Sequence, residues 1–323
     1  MKELSIILVN YNTTDDIINC INSIISSDIK IDYEIIVIDN DSENQKTEIW
    51  RIQNTFPQIK IIAAERNMGF AGANNVGIKF AQGKNLLFLN PDTLVQRNTI
   101  MNLYRFLTKN KNAGMIGPFT IDQNAQIDYY SARVFPNLFT EFAQHSGLSK
   151  IFIRTRPCGC YFMSRGQNLT TCEVDAIQGS AMLVRKSDIE EVGPMDERFF
   201  LFCEDTDWCY RFRRRGKKIY LCTDAIIIHI RHASARGREN LTYIIGVTSM
   251  YKFFTKYYGQ MYGIIYRIEM LWIYQFKSII CLFFKKKKFK IFISHVLWAI
   301  GMLIYVRDRR GHPKLKTAGF NLF

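Results

Sequence analysis

Hydrophobic residues fall into two kinds of run over the first 120 positions. Short unbroken runs read as buried strands: Leu4 to Val9, Glu34 to Ile38, Ile59 to Ala63, Asn85 to Leu89 and a start at Gly114 to Gly117. Between them the spacing turns helical. Ile17, Ile18, Ile21, Ile24 and Ile25 share one face of Asp15 to Ser27, and further helices are predicted from about Asn44 to Phe56, after the Gly-rich stretch Asn67 to Gly77, and from about Asn98 to Asn110. Strand and helix alternate about every 15 residues, which predicts an α/β fold with a mostly parallel sheet covered on both faces. Phe119 to Cys172 has no clear period and carries Tyr129, Tyr130, Arg133, Phe135, Arg154, Arg156 and Arg165, so it reads as loops and short elements. Ala176 to Val184 reads as a strand or tight turn around Gln178-Gly179-Ser180, and Lys218 to Cys222 and Ala225 to Ile230 read as two more strands.

Polar clusters follow the strands: Asn10-Tyr11-Asn12, Asp39-Asn40-Asp41-Ser42 and Asn90-Pro91-Asp92-Thr93. Each alone is ordinary turn chemistry. In a parallel sheet, however, all three fall at the carboxyl edge, where such sheets bind ligands. The Gly-rich stretch, with Gly69, Gly72 and Gly77, does not match the dinucleotide fingerprint GxGxxG but would let backbone approach a ligand closely.

The densest chemistry is Glu204-Asp205-Thr206-Asp207-Trp208, which opens a helix ending at Gly216. A helix N-terminus stabilises anions, and a carboxylate held there can take a proton from a hydroxyl. The plainer reading is a capped surface helix, with Asp207 and Arg211 pairing four residues apart.

Charge divides the chain. From residue 240 onward there are 14 Lys and Arg against 2 Asp and Glu, so +12 of the total +14 lies in the tail. Tyr243 to Tyr258 is an expected amphipathic helix; Ile264 to Phe284 is apolar but interrupted by Arg267, Glu269 and Lys277; Lys285 to Lys288 and Lys290 follow. Ile291 to Val306 is apolar for 16 residues, short of the roughly 20 that a spanning helix needs, and basic on both flanks. The expectation is helices lying on an anionic membrane surface, not nucleic-acid binding, whose basic residues would interleave with a groove-reading element. The plainer reading is a helical cap with a solvated Lys run. Domain limits are therefore expected at 1–239 and 240–323. Met1-Lys2-Glu3 runs straight into a strand, so no secretory signal is expected, and eight scattered cysteines suit reduced thiols. Cys158-Gly159-Cys160 with Cys172 lacks the second pair or the His of a zinc site.

The motifs SIILVNYN (5–12), VIDNDS (37–42), NMGFAGANNVGI (67–78), LNPDT (89–93), and GSAMLVRK followed by FFLFCEDTDWCYRFRRRG resemble glycosyltransferase family 2, in its rhamnosyltransferase-like branch that builds bacterial surface polysaccharides such as O-antigen and capsule. The resemblance covers about residues 3–235. It implies the GT-A fold and an inverting transfer of a sugar from a nucleotide diphosphate (dTDP- or UDP-linked) to a hydroxyl of a glycan or polyprenyl-diphosphate-linked acceptor. It implies Asp205 as general base, with Glu204 orienting base or acceptor. Asp39 resembles the residue that recognises the base, with Asn10, Asn12, Asp41, Asn67, Gly69, Asn74 and Asn90 on the donor side. Asp92 matches the last aspartate of the metal-holding Asp-x-Asp motif, whose first position is here Asn90, and His229 in HIRHAS resembles a further ligand; the ion would be Mg²⁺ or Mn²⁺. Gly179, Ser180 and Trp208 would lie on the acceptor side. The implied location is cytoplasmic, peripheral on the inner face of the plasma membrane. Two other readings compete. A sugar nucleotidyltransferase would open with a Gly-rich basic loop where Asn10 to Thr14 stands, and a non-catalytic membrane-bound assembly protein would not need Asp39, Asp92, Asp205 and His229.

Overall fold

The computed structural model describes residues 2–151, 170–230, 239–284 and 286–317. Cys158, Cys160, Arg154, Arg156, Arg165, His232, Ser234 and Lys285 lie outside the described residues.

The first unit comprises residues 1–135, 162–198 and 204–234. Its chain begins β1 (Leu4–Asn10), α1 (Thr14–Ile25), β2 (Tyr33–Asp39), α2 (Gln45–Thr55), β3 (Lys60–Ala63), α3 (Gly69–Phe80), β4 (Asn85–Leu89), β5 (Thr93–Val95), α4 (Thr99–Lys109), β6 (Ala113–Ile121) and β7 (Ala132–Arg133). After α5 (Leu138–Ser146) and α6 (Leu148–Ile151), which belong to the second unit, come β8 (Cys172–Val174), β9 (Ala176–Ile177), β10 (Ala181–Arg185), α7 (Lys186–Val192), α8 (Glu204–Arg214) and β11 (Lys218–His229).

The sheet runs β3-β2-β1-β4-β10-β6-β11-β5, with β8 also on β11. It is parallel through β3, β2, β1 and β4, and again between β6 and β11. β10 enters antiparallel between β4 and β6, and β5 pairs antiparallel with the far end of β11. Alternation within β1 shows why both faces are covered. Leu4, Ile6 and Leu8 pack with Ile17, Ile21 and Ile24 of α1 and Ile100 and Leu103 of α4. Ile7 and Val9 face the other way, into a cluster with Ala71 and Ala73 of α3 and Trp208 and Phe212 of α8.

Two sequence expectations change. Residues 218–229 form one strand, not two; the polar step at Thr223-Asp224 is absorbed as a bulge in the pairing with β6 between Cys222 and Ile226. Asn90 to Thr93 was legible as a turn, but the three residues that leave it make the short strand β5.

The second unit comprises residues 136–161, 199–203 and 235–323. Besides α5 and α6 it contains α9 (Glu239–Tyr258), α10 (Gln260–Phe284), α11 (Lys286–Ala299) and the hairpin β12 (Leu303–Arg307) with β13 (Pro313–Thr317). The apolar stretch Ile291 to Val306 is thus no single helix. α11 ends at Ala299, Gly301 takes a left-handed φ of 81°, and the chain returns as β12. Among the described residues no helix is long and apolar enough to cross a membrane. α5 lay in the stretch without period; it is signed by a capping box in which the Asn137 and Thr140 side chains each accept from the other's backbone N–H.

Candidate active site

Strand register gathers the polar clusters. In the parallel pair β1–β2, Asn10 stands beside Asp39, and Asn10 Nδ2 donates to Asp39 Oδ2 at 2.8 Å. The other Asp39 oxygen accepts from Ser42 N–H at 3.0 Å and Gln45 Nε2 at 2.9 Å. Asn10 Oδ1 accepts from the Thr13 backbone and hydroxyl. Asn12 receives the Glu43 N–H on its side chain and donates its own N–H to Ser42. Asn12 and Asp41 both hold left-handed backbone, φ 58° and 66°, which Asn and Asp tolerate better than most residues. Asp39 is fully buried with both oxygens engaged, so it ties the β1–α1 and β2–α2 turns into one rigid edge.

Asn67 and Gly69 join that edge through Asn40. Its amide donates to Asn67 Oδ1 at 3.1 Å and to the Gly69 carbonyl at 3.3 Å, and it accepts from Met68 N–H. Gly69 has a φ of 74°, which explains a glycine at the mouth of α3. Asn74 is turned back to its own helix, donating to Phe70 O, and sits buried. Its neighbour Asn75, not singled out by the sequence, clamps the Met195 backbone at both ends and also reaches Glu197.

A second group forms where β5 lies antiparallel to the end of β11. His229 pairs with Thr93, and its Nε2 lies 3.1 Å from Asp92 Oδ1. Nδ1 of the same buried imidazole and the Asn90 side-chain oxygen are buried without a hydrogen-bond partner. A carboxylate, an imidazole and an amide oxygen are ligand types that suit a divalent cation. Among the described residues no group of three or more His, Cys, Asp or Glu is arranged to hold a metal. Asp92 and His229 would therefore supply only one side of such a site, leaving the rest to ligand oxygens and water.

The third group is the start of α8. Asp205 Oδ2 accepts from Gly179 N–H at 2.9 Å and pairs with Arg133 Nη2 at 2.5 Å; Oδ1 accepts from Thr206 N–H at 2.6 Å and its hydroxyl at 3.1 Å. Arg133 also donates to Thr206 Oγ1 at 3.0 Å. Arg133 was visible in the sequence only as one basic residue among several in the stretch without period. It is brought in by β7, which pairs with β9 just before the Gln178–Ser180 turn. Glu204 is buried with one oxygen unpartnered, and burial, then the charge of Asp205, raise its pKa to about 8. Burial therefore favours the protonated form of Glu204 beside Asp205. The expected Asp207–Arg211 pair is present at 2.9 Å.

One turn joins the last two groups. Ser180 O accepts from Asn90 N–H at 2.9 Å, while the adjacent Gly179 N–H holds Asp205. A Cβ at Gly179 would stand 3.4 Å from the Asp205 carboxylate, so the glycine permits that approach. Trp208, expected on the acceptor side, has no exposed surface. It is fully buried edge-on to Phe88 and Phe212, with its indole N–H on Gly193 O at 2.9 Å. At the fifth position of the helix it points back to the sheet, one turn beyond the carboxylates.

The family model "Glycosyl transferase family 2" matches residues 5–169, just over half of the chain. The chain belongs to glycosyl transferase family 2, and with it to the glycosyltransferases. It is 28% identical over 233 residues to the low-salt glycan biosynthesis hexosyltransferase Agl10 of Haloferax volcanii, covering 71% of this chain and 67% of that one. It is 26% identical to the rhamnosyltransferase WbbL of Escherichia coli (52% of this chain, 63% of the relative). It is 27% identical to the N-acetylglucosaminyl-diphospho-decaprenol L-rhamnosyltransferase of Mycobacterium tuberculosis (56% and 62%). The chain thus spans roughly two thirds of the length of these relatives. A crystal structure of GalNAc-T7 with UDP, GalNAc and Mn²⁺ superposes with a TM-score of 0.60 at 15% identity, over 91% of this chain and 55% of that one, which shows the GT-A type of fold.

Proposed function

We propose that the protein is an inverting, metal-dependent glycosyltransferase that moves a hexosyl or rhamnosyl group from a nucleotide diphosphate sugar to a hydroxyl of a glycan or lipid-linked glycan. The observation that carries this reading is the Gln178–Ser180 turn, which touches the Asn90–Asp92 turn with one residue and the Asp205 carboxylate with the next. A group that holds a diphosphate and a group that takes a proton are then two residues of one turn apart. The donor's nucleoside would lie against the edge that Asp39 braces, with Asn12 and Asp41 at its surface. A divalent cation held by Asp92 and His229 would offset the charge of the departing diphosphate.

Asp205 takes the proton of the acceptor hydroxyl as its oxygen bonds to the anomeric carbon from the face opposite the diphosphate. The bond to the diphosphate oxygen breaks with its electron pair, so one displacement inverts the centre. Arg133, Gly179 and Thr206 fix the carboxylate's direction. Burial holds Glu204 toward its neutral form, and Arg211 offsets Asp207, so Asp205 faces little like charge at the helix start. Decaprenyl-diphosphate chemistry in the Mycobacterium relative's name supports a lipid-linked acceptor. A cytoplasmic, peripheral position on the inner face of the plasma membrane belongs to the same reading. The test is calorimetric titration of dTDP- and UDP-sugars with Mn²⁺. The wild type should bind one donor in a metal-dependent way and Asp92→Ala should lose that dependence; equal metal dependence in both would remove Asp92 from the site.

A further inference from the structure

α10 is built inside out. Between Met261 and Ile280 every exposed side chain is apolar except Gln275. Met261, Ile265, Ile268, Trp272, Phe276 and Ile279 recur at helical spacing, with Met261, Trp272 and Phe276 exposed by 70, 69 and 66%. At 1.5 Å per residue this stripe is about 28 Å long. The charged residues that break the helix's hydropathy point the other way. Arg267 donates to Trp298 O at 2.9 Å and lies over the Tyr251 and Trp298 rings. Lys277 donates to His145 O within the unit. Glu269 has a buried, unpartnered oxygen, and burial followed by the charge of Glu141 raises its pKa to about 8, so it is neutral at pH 7. A water-facing helix puts these side chains outside and the isoleucines inside.

We infer that this face of α10 lies in the interface of an anionic lipid bilayer, parallel to its plane. This rests on the peripheral position proposed above and moves the apolar anchor from residues 291–306 to α10. Three observations select lipid as the occupant. The stripe is far larger than single scattered apolar residues on a water-exposed surface. Its large rings, Trp272 and Phe276, suit the headgroup level. Lys285 to Lys288 and Lys290 follow directly in the chain, with Lys288 and Lys290 exposed, complementing anionic headgroups where a second copy of the same face would meet like charge.

The test is flotation of the full chain with vesicles of phosphatidylglycerol and phosphatidylcholine. Ile268, Trp272 and Phe276 changed together to Ser should weaken partition by about a thousandfold, because each large apolar side chain withdrawn from water is worth roughly tenfold. The three positions are exposed, so the melting temperature should hold. In a Trp50→Phe background, acyl-chain bromination should quench Trp272; Trp208 and Trp298 are buried. Unchanged flotation of the triple variant, or no quenching, overturns the inference. A triple variant that loses dimers while flotation is unchanged assigns the face to self-association and overturns it too. Vesicle binding is read without donor or turnover, so failure of the enzymatic reading would show in calorimetry and leave this result standing.

Discussion

The two units bury their polar groups for opposite ends. In the sheet unit, buried Asn10, Asp39, Asn40, Asn67 and Asp205 are tied to one another and to backbone, and the apolar side chains fill the two faces of the sheet. In α10 the charged residues are turned in and five of the six isoleucines out, Ile273 alone being buried. Internal pairing in the first case holds a rigid polar edge; in the second it empties a face of charge. The same operation, burying a polar group with partners, makes a site in one unit and a clean apolar surface in the other.

The largest effect that would test the contrast is at the start of α8. Asp205→Asn should lower turnover about 100- to 10,000-fold with donor affinity near that of the wild type, since a lost general base costs that much; turnover within threefold would put the base elsewhere. Arg133→Gln should lower turnover about 10- to 100-fold, because a hydrogen bond to a charged group contributes roughly 1.5–3 kcal/mol. If Arg133 only braces the fold, its variant will lose melting temperature instead of turnover. Next comes a matched pair of isoleucines. Ile7→Ala, in the fully buried cluster, should cost about 2–5 kcal/mol in denaturant unfolding, and Ile268→Ala, on the outward face, less than about 0.5 kcal/mol. Equal costs would mean that α10's face is covered in the folded chain.

The smallest effect is in pH. Glu204 and Glu269 both have pKa values raised from 4.5 to about 8. A carboxyl whose folded pKa is raised binds its proton more tightly when folded. Its stabilising contribution is complete below pH 4.5 and is lost as pH rises through 8. Glu204→Gln and Glu269→Gln should each flatten part of the fall in stability between those limits, measured by unfolding at a series of pH values; an unchanged slope would show that the carboxyl is charged in the folded chain.

The strands and helices of residues 4–110 were legible because each strand is an unbroken apolar run and each helix has one apolar face. The α8 carboxylates and the Asp207–Arg211 pair were legible because helix spacing is local. Arg133 was not, since only the β7–β9 pairing brings it to Asp205 across some 70 residues of chain. β5 was hidden because three residues cannot show a period. Ile291 to Val306 looked continuous because hydropathy does not register the left-handed turn at Gly301. In α10 the pattern of charges was visible, but not their direction; Arg267 and Lys277 read as interruptions until their inward partners were seen, and Glu269 until its burial was.

The insertion of β10 also sets an order of assembly. Strands β1, β2 and β3 find their neighbours within about 30 residues of chain, so the edge with Asn10 and Asp39 can close early, and β4 closes on β1 across about 80. β10 joins β4 across almost a hundred residues, and only then do Ser180 and Gly179 meet Asn90 and Asp205. On a ribosome the half that carries Asn10 and Asp39 would emerge and organise before the half that carries Gly179 and Asp205 exists. Mutations in β10 should therefore slow completion of the Gln178–Ser180 turn while leaving the first half folded, and a nascent chain ending near residue 120 would present β4 as an open strand edge with its pairing groups unmet.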